Sequence, residues 1–445
     1  METLQRSANR GSVSTGYDVA NSLKVESDND EYLERPTGGS DGSSTQHTIS
    51  VWVKRTELGV DSEPVSAGGI GRFRFESDDT FSYQFRSGKE IITNRVFRDT
   101  AAWYHILAAA DSSQSTASNR MRLYVNGVEE TSFSSATYQD QDQASPGWGK
   151  YTIYNLRVGA AASNTRNFNG YIAEMYYIDG QTLDPTSFGE FDSDSGIWIP
   201  KAFTGTHGSL DTYLDFEDSS NLGNNVAGGT DMNANNITAA DQSTDTCTNN
   251  FAIINILHKY PSSQVINEGA TKVARTSGSG LNKTFISTIA LTAGKWYAEF
   301  KPTAASSNYV VGIMPIDTAS SVDLDANHLG NSAYAGSLGY YSPDGSMLAA
   351  GNAANGSFGN SYTADDIIGV ALDMDNRKVY FSKNGTFQNS QNPATGANAI
   401  TLTDTSDGYH IGFTYDTSGT VECNFGGYHV NTLSSANTDG SGFGD

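Results

Sequence analysis

The chain has 445 residues, about three times the ~150 residues of a typical domain, so two or three domains are expected, each able to bury a core. Its 27 basic residues against 50 acidic ones leave a formal charge of −23, which removes the basic footprint that nucleic acid or an anionic membrane requires. Only 17% of residues are charged, and Gly, Ser, Thr, Asn and aromatics are abundant, which suits strands and turns rather than long helices or disorder. No run of ~20 apolar residues occurs, so no membrane insertion is expected. Residues 1–16 lack an apolar segment and read as an N-terminal arm rather than a secretory signal. Cys247 and Cys423 are too few for a disulfide framework or a zinc site and are expected as separate thiols.

From residue 17 the pattern is one of short strands. Ile49, Val51 and Val53 alternate with Ser50, Trp52 and Lys54. Residues 72–75 and 81–85 are two further runs, separated by the turn cluster Ser77-Asp78-Asp79. An apolar run follows at 103–107. Residues 120–125 then lead into Asn126-Gly127, a pair that accepts the positive φ values of a type I′ hairpin. Residues 170–178 form another strand. Many short strands with turns between them predict an antiparallel sandwich.

Taken in order, the segments 21–25, 51–55, 102–106, 123–127, 170–174 and 198–201 resemble the laminin-G-like, concanavalin A-like lectin/glucanase domain of marine bacteriophage structural proteins. The resemblance covers most of residues 20–200. It implies a jelly-roll sandwich of two curved antiparallel sheets, placed here at 17–200. Residues 201–265 are polar and turn-rich and read as a connector packing partly on the first module, with residues 213–216 as a strand added to it.

Strand signals resume near residue 285. Residues 295–300 alternate cleanly, 309–313 form a buried-type run, and 338–341 precede the turn Ser342-Pro343-Asp344-Gly345. Residues 367–373 lead to 378–382 and then Asn384-Gly385, and 410–413 is one of the last strands. Gly294 to Glu299, Val311 to Ile313, Gly369 to Asp373 and Lys383 to Gly385 together resemble a SPRY domain over about 285–425. That family's fold is also a bent antiparallel sandwich, assigned here to 266–430 with a Gly-, Ser- and Asn-rich tail at 431–445. The expected fold class is all-β, two antiparallel β-sandwich (jelly-roll) modules in tandem.

Catalytic motifs are weak. The glucanase branch of the first fold carries Glu-x-Asp-x-x-Glu on one strand. The nearest match, Glu190-Phe191-Asp192-Ser193-Asp194-Ser195, ends in Ser, and its flanks read as loop. Asp323-x-Asp325-x-Asn327 opens like a calcium loop but has His328 in place of Gly and Tyr334 in place of Glu. Asp28-Asn29-Asp30 and Asp192-Ser193-Asp194 are similar fragments. No cofactor is therefore expected, and calcium would need loop oxygens without a fixed spacing. The seven histidines make no metal-binding spacing, and His105 and His410 read as ordinary strand residues.

What remains is surface recognition through aromatic rings. Trp148, Tyr151 and Tyr154 in the first module, and Tyr334, Tyr340 and Tyr341 in the second, are the candidate ligand-binding residues, with core or interface packing as the competing reading. The resemblance implies a non-enzymatic virion protein on the particle surface. Its expected work is recognition of a host-surface glycan or adhesion within a tail fibre or appendage. Capsid decoration is the alternative, and glycan hydrolysis a third. The partners would be other virion proteins and further copies of the chain. A trimer would suit a fibre, although no coiled-coil heptad run is present to drive it.

Overall fold

The computed structural model describes residues 16–257, 264–275, 283–304, 308–349, 357–404, 406–415 and 419–427. The expected N-terminal arm, except its last residue, and the expected tail lie outside them. The chain divides into two compact units between Asn250 and Phe251. Nearly all the regular structure is antiparallel strand; the one α-helix among the described residues is the single turn Ile316–Ala319.

In the first unit, apolar residues at every second position give each strand one core face. Two eight-stranded sheets result. The first runs through Val128–Glu129, Met121–Val125, Tyr104–Asp111, Gln46–Arg55, Gly170–Asp179, Ser22–Val25 and Gln242–Ser243. The second runs through Phe133–Ala136, Lys89–Val96, Thr80–Arg86, Gly71–Phe75, Ser62–Ala67, Leu156–Val158, Tyr32–Glu34 and Asn233–Asn235. Ile49, Val51 and Val53 of the first meet Phe73, Phe75, Phe81, Tyr83 and Phe85 of the second in one buried cluster. The hairpin at Asn126-Gly127 forms as expected, with φ of 48° and 76° and Val125 opposite Val128.

The first sheet is buried on its other face as well. Leu107, Ala109, Tyr124, Tyr176 and Ile178 pack under Phe188, Leu183, Phe203 and Tyr213. This second layer corrects the expected boundary at residue 200. Residues 201–250 are part of the first unit and supply strands to both sheets: Thr212–Leu214 and Gln242–Ser243 to the first, Asn233–Asn235 to the second. A bulge makes room for this. The register of Gly170–Asp179 shifts between Ala173 and Tyr176, with Glu174 at φ 46°. Leu23 to Val25 pair with the residues before the bulge, and Thr212 to Leu214 with those after it.

The second unit begins earlier than residue 266. Ile254 belongs to its core, and the strands Gln264–Asn267 and Lys272–Arg275 precede the first expected one. One sheet runs Gln264–Asn267, Lys272–Arg275, Gly419–Asn424, Lys295–Pro302, Ile368–Asp373, Lys378–Lys383 and Thr386–Phe387, with Ile400–Thr401 also on Lys378–Lys383. The other runs Lys283–Ile286, Tyr409–Tyr415, Tyr309–Pro315, Leu338–Tyr341 and Met347–Ala349. Phe300, Val370, Leu372 and Phe381 face Phe285, Val311 and Phe413 across the core. Asn384-Gly385 closes a second two-residue hairpin, with Lys383 opposite Thr386. Gly412, Gly312 and Gly339 are cross-strand neighbours in one row. A Cβ on Gly312 would stand 1.9 Å from the Leu338 carbonyl oxygen, which is backbone and cannot step aside. Gly312→Ala is expected to destabilise this unit by about 1–3 kcal/mol, read as a lower denaturant midpoint.

Candidate functional site

The strands of the second sheet of the first unit turn their apolar residues inward, so their polar residues face away from the core. Phe73 and Phe75 point in and Arg72 and Arg74 point out; Phe81, Tyr83 and Phe85 point in and Ser82 and Gln84 point out. The registers align these residues into one polar row. Glu34, Arg157, Ser66, Arg72, Gln84 and Glu90 are successive cross-strand neighbours. Five inter-strand steps of ~4.8 Å make the row about 24 Å long. Arg74 and Ser82 are paired in the adjacent row, and Glu63 on Ser62–Ala67 reaches Arg72.

Most of these groups are fixed by ion pairs. Arg157 Nε is 2.5 Å from Glu34 and its guanidinium lies 4.6 Å from the Tyr32 ring centre. Arg74 Nη2 is 2.6 Å from Glu76 and 3.9 Å from Glu90. Glu63 Oε1 is 3.5 Å from Arg166 Nη1 and 3.9 Å from Arg72 Nε. Glu63 is fully enclosed, and burial pushes its carboxyl up to about 7 against the pull of Arg72, Arg166 and Arg74. Burial also raises Glu90. Glu63 Oε2 and Arg72 Nε are enclosed and make no hydrogen bond, so only the outer ends of Arg72 and Glu90 are open to a partner.

Charged groups of both signs held on a rigid sheet can exchange hydrogen bonds with a ligand rich in hydroxyls. Glycoside hydrolysis by paired acids asks for carboxyls about 5–9.5 Å apart. Glu63 and Glu90 stand on strands three steps apart, about 14 Å between backbones, whereas Glu76 and Glu90 both reach Arg74 Nη2, so the arginine sits between those two carboxyls.

The six aromatic candidates do not form this site. Trp148, Tyr151, Tyr334 and Tyr340 are buried, which corrects their assignment to a binding face. Trp148 donates from Nε1 to the Gln84 carbonyl at 3.0 Å and stacks on Tyr177. Tyr151 lies under Arg35 and edge-on to Tyr177. The Tyr334 hydroxyl donates to the Asp323 carbonyl and accepts from the Asn327 amide. Tyr340 donates to the Asn360 carbonyl within a cluster of Phe358, Tyr362 and Phe381. Each hydroxyl or indole used in this way serves the core, because a buried polar group must find a partner. Tyr154 is half-buried against Gly68, and Tyr341 is half-buried beside the Val310 and Tyr334 cluster.

The acidic fragments have local duties. The flank of Asp192 is not loop throughout: Gly189–Phe191 is a short strand paired with Trp198–Pro200, and Asp192 Oδ1 accepts from the Asp194 and Ser195 amides in the turn between. Asp325 is 3.3 Å from Lys283 Nζ, and Asp30 accepts from Asn167. Among the described residues no three His, Cys, Asp or Glu side chains converge to hold a metal. Both cysteines are free. His105 is a buried strand residue whose Nδ1 accepts from Trp198 Nε1, so its proton sits on Nε2, facing Ser50 Oγ at 2.8 Å. His410 also lies in a strand, Tyr409–Tyr415.

The concanavalin A-like lectin/glucanases superfamily, through its Laminin_G_3 family model, matches residues 27–184, and the SPRY domain matches residues 295–418. The chain carries these two domains in tandem. The whole polar row, from Glu34 to Arg157, falls inside the concanavalin A-like match. A human SPRY domain of known structure is similar at 16% identity over 39% of this chain and 98% of that one, with a TM-score of 0.27. The SPRY domain of human HERC1 is similar at 18% identity over 37% of this chain and 93% of that one, with a TM-score of 0.28. No curated protein matches the chain. Concanavalin A-like and SPRY domains in one chain suggest a binding or adhesion module.

Proposed function

We propose that this is a non-enzymatic protein of the bacteriophage particle surface that recognises or adheres to host-surface glycan, as part of a tail fibre or similar appendage. The phage context rests on the resemblance of segments 21–25 through 198–201 to marine phage structural proteins. The observation that carries the binding reading is the polar row of the concanavalin A-like domain, with Arg72 and Glu90 about a quarter exposed, at 26% and 24% of their side chains, above enclosed Glu63 and Arg74. Its carboxyls are arginine-paired, which holds them as ionised hydrogen-bond acceptors. Other virion proteins and further copies of the chain are the expected partners, and repeated copies would turn weak binding into firm attachment.

The test has two arms. On an array of bacterial surface polysaccharides, Arg72→Ala or Glu90→Gln is expected to weaken binding at least about tenfold, the loss of one charge-assisted hydrogen bond of roughly 1.5 kcal/mol or more. Unchanged binding by both variants would remove the row as the site, and release of new reducing ends would make the protein a hydrolase. Immunogold labelling of intact particles is expected at distal tail appendages. Label spread over the head would replace this reading by capsid decoration.

A further inference from the structure

The SPRY domain has an outward sheet face of its own. Ala298 and Phe300 of Lys295–Pro302 enter the core, so Tyr297 and Glu299 face out. Tyr297 is 48% exposed, one of few large apolar side chains so open among the described residues. It is nevertheless held in place. A Cβ on Gly369, one strand over, would lie 2.2 Å from the Tyr297 hydroxyl oxygen and 2.8 Å from a ring carbon. The ring therefore lies across the neighbouring strand, on bare backbone that any other residue would cover. Its hydroxyl donates to Glu299 Oε1 at 2.9 Å and lies 3.4 Å from Ser382 Oγ. Ala371 stands directly opposite it in the register and leaves the surface low on that side.

We propose that Tyr297 is a stacking platform for a neutral pyranose ring, with Glu299 accepting from the sugar's hydroxyls. The hydroxyl end of the ring lies over Gly369 while nearly half of the residue stays exposed, and the tie to Glu299 has already removed the rotamer freedom that binding would otherwise cost. A pyranose presents an apolar C–H face to such a ring and hydroxyl donors around its edge, which match a carboxylate with spare acceptor capacity. A nucleobase would also stack. However, it brings phosphates toward Glu299 on a chain of formal charge −23. An apolar side chain from a protein would find a single ring bordered by Glu299 and Ser382. This site rests on the glycan-binding reading but lies on a different domain from the polar row, so the chain would grip a polysaccharide at two separate places.

Saturation-transfer NMR on the full chain, with the methyl glycosides of glucose, galactose, mannose and N-acetylglucosamine as probes, tests the site. At least one glycoside is expected to bind. Tyr297→Ala is expected to weaken it about tenfold or more. Gly369→Val, which keeps the tyrosine but lifts its ring, should do the same, whereas Tyr297→Phe retains most of the binding. Circular dichroism confirms folding, and Tyr297→Ala, at an exposed position, is the deciding variant. Binding unaffected by Tyr297→Ala but abolished by Arg72→Ala would overturn this site and leave the polar row standing. Absence of binding by any glycoside would overturn this site, while the polysaccharide array would still decide the polar row on its own.

Discussion

Asp245→Ala is expected to destabilise the first unit by about 3–5 kcal/mol, the loss typical of a buried ion pair deprived of one partner. Asp245 lies beyond the family match, yet it is the centre of a buried polar cluster. Its Oδ2 is 2.7 Å from Lys54 Nζ and its Oδ1 accepts from Trp103 Nε1 at 2.9 Å. Lys54 also donates to Asn250 at 2.8 Å, and Ser22 donates to the Asp245 carbonyl. Lys54 is fully enclosed, and burial already pulls its ammonium down, with Asp245 the main opposing pull. Without the carboxylate, the ammonium keeps Asn250 but loses its counter-charge, and the indole N–H loses Asp245 Oδ1. A second enclosed pair, Lys24 with Asp241 at 3.1 Å, fastens the same segment. The first thermal transition should therefore fall by about 6–20 °C, at ~2–4 °C per kcal/mol for a unit of this size. The paired variant Lys54→Met with Asp245→Leu removes both charges of this pair and should recover much of the loss. A single variant within about 1 kcal/mol of the wild type would show that residues 236–250 are not integral to the unit.

This cluster also shows where sequence reading stops. The alternation of Ile49, Val51 and Val53 declared a strand, but it could not say what covers Ser50, Trp52 and Lys54 on the other face. Lys54 in a strand reads as solvent-facing, and only the return of residues 236–250 over that sheet encloses it. The same physics misplaced Trp148, Tyr151, Tyr334 and Tyr340, since aromatic residues in polar, glycine-rich surroundings look exposed until the fold closes over them. Hairpins were legible because Asn126-Gly127 and Asn384-Gly385 carry their turn geometry locally. The strand Ser62–Ala67 was not, because Pro64 and Glu63 break its pattern where the ladder slips between Ser62 and Val65. Part of the polar face was present in the sequence. Arg72 and Arg74 between phenylalanines, and Ser82 and Gln84 between aromatics, mark an outward polar face as surely as their neighbours mark the core. Glu90 and Glu63 join it only through register.

Stability of the first unit is expected to be level from about pH 6.5 to 4.5 and to fall steeply below. The four enclosed groups with the largest shifts dominate this profile, and Glu31, Glu57, Glu90 and Asp179, which burial also raises, add smaller contributions of the same sign as Glu63 and Glu174. His47 and His105 are driven down from 6.5 to about 3 by burial, so the folded chain lacks two protons that the unfolded chain binds below 6.5. His47 sits among Tyr83, Phe85, Trp148 and Tyr177, with only the Tyr83 hydroxyl, at 2.6 Å, as partner. Glu63 and Glu174 are driven up from 4.5 to about 7 by burial, so the folded chain holds two protons that the unfolded chain lacks above 4.5. Glu174 stands at the bulge, where the hydroxyls of Tyr17, Tyr176 and Tyr213 all reach its carboxyl. As pH falls from 7 to 6.5 the glutamates stabilise the fold. Between 6.5 and 4.5 the two pairs cancel. Below 4.5 the unfolded glutamates are protonated as well, and the histidines act unopposed at about 2.7 kcal/mol per pH unit for the two together. Asp79, which burial raises but Arg98, the Gly59 amide and Arg55 pull lower on balance, adds to the loss there. Glu174→Gln removes one of the balancing protons. Its stability should then decline by about 1.4 kcal/mol per unit across the formerly level region. Denaturant midpoints measured at half-unit steps of pH decide the matter: stability that holds level down to pH 3 would mean that His47 and His105 accept protons without opening the core.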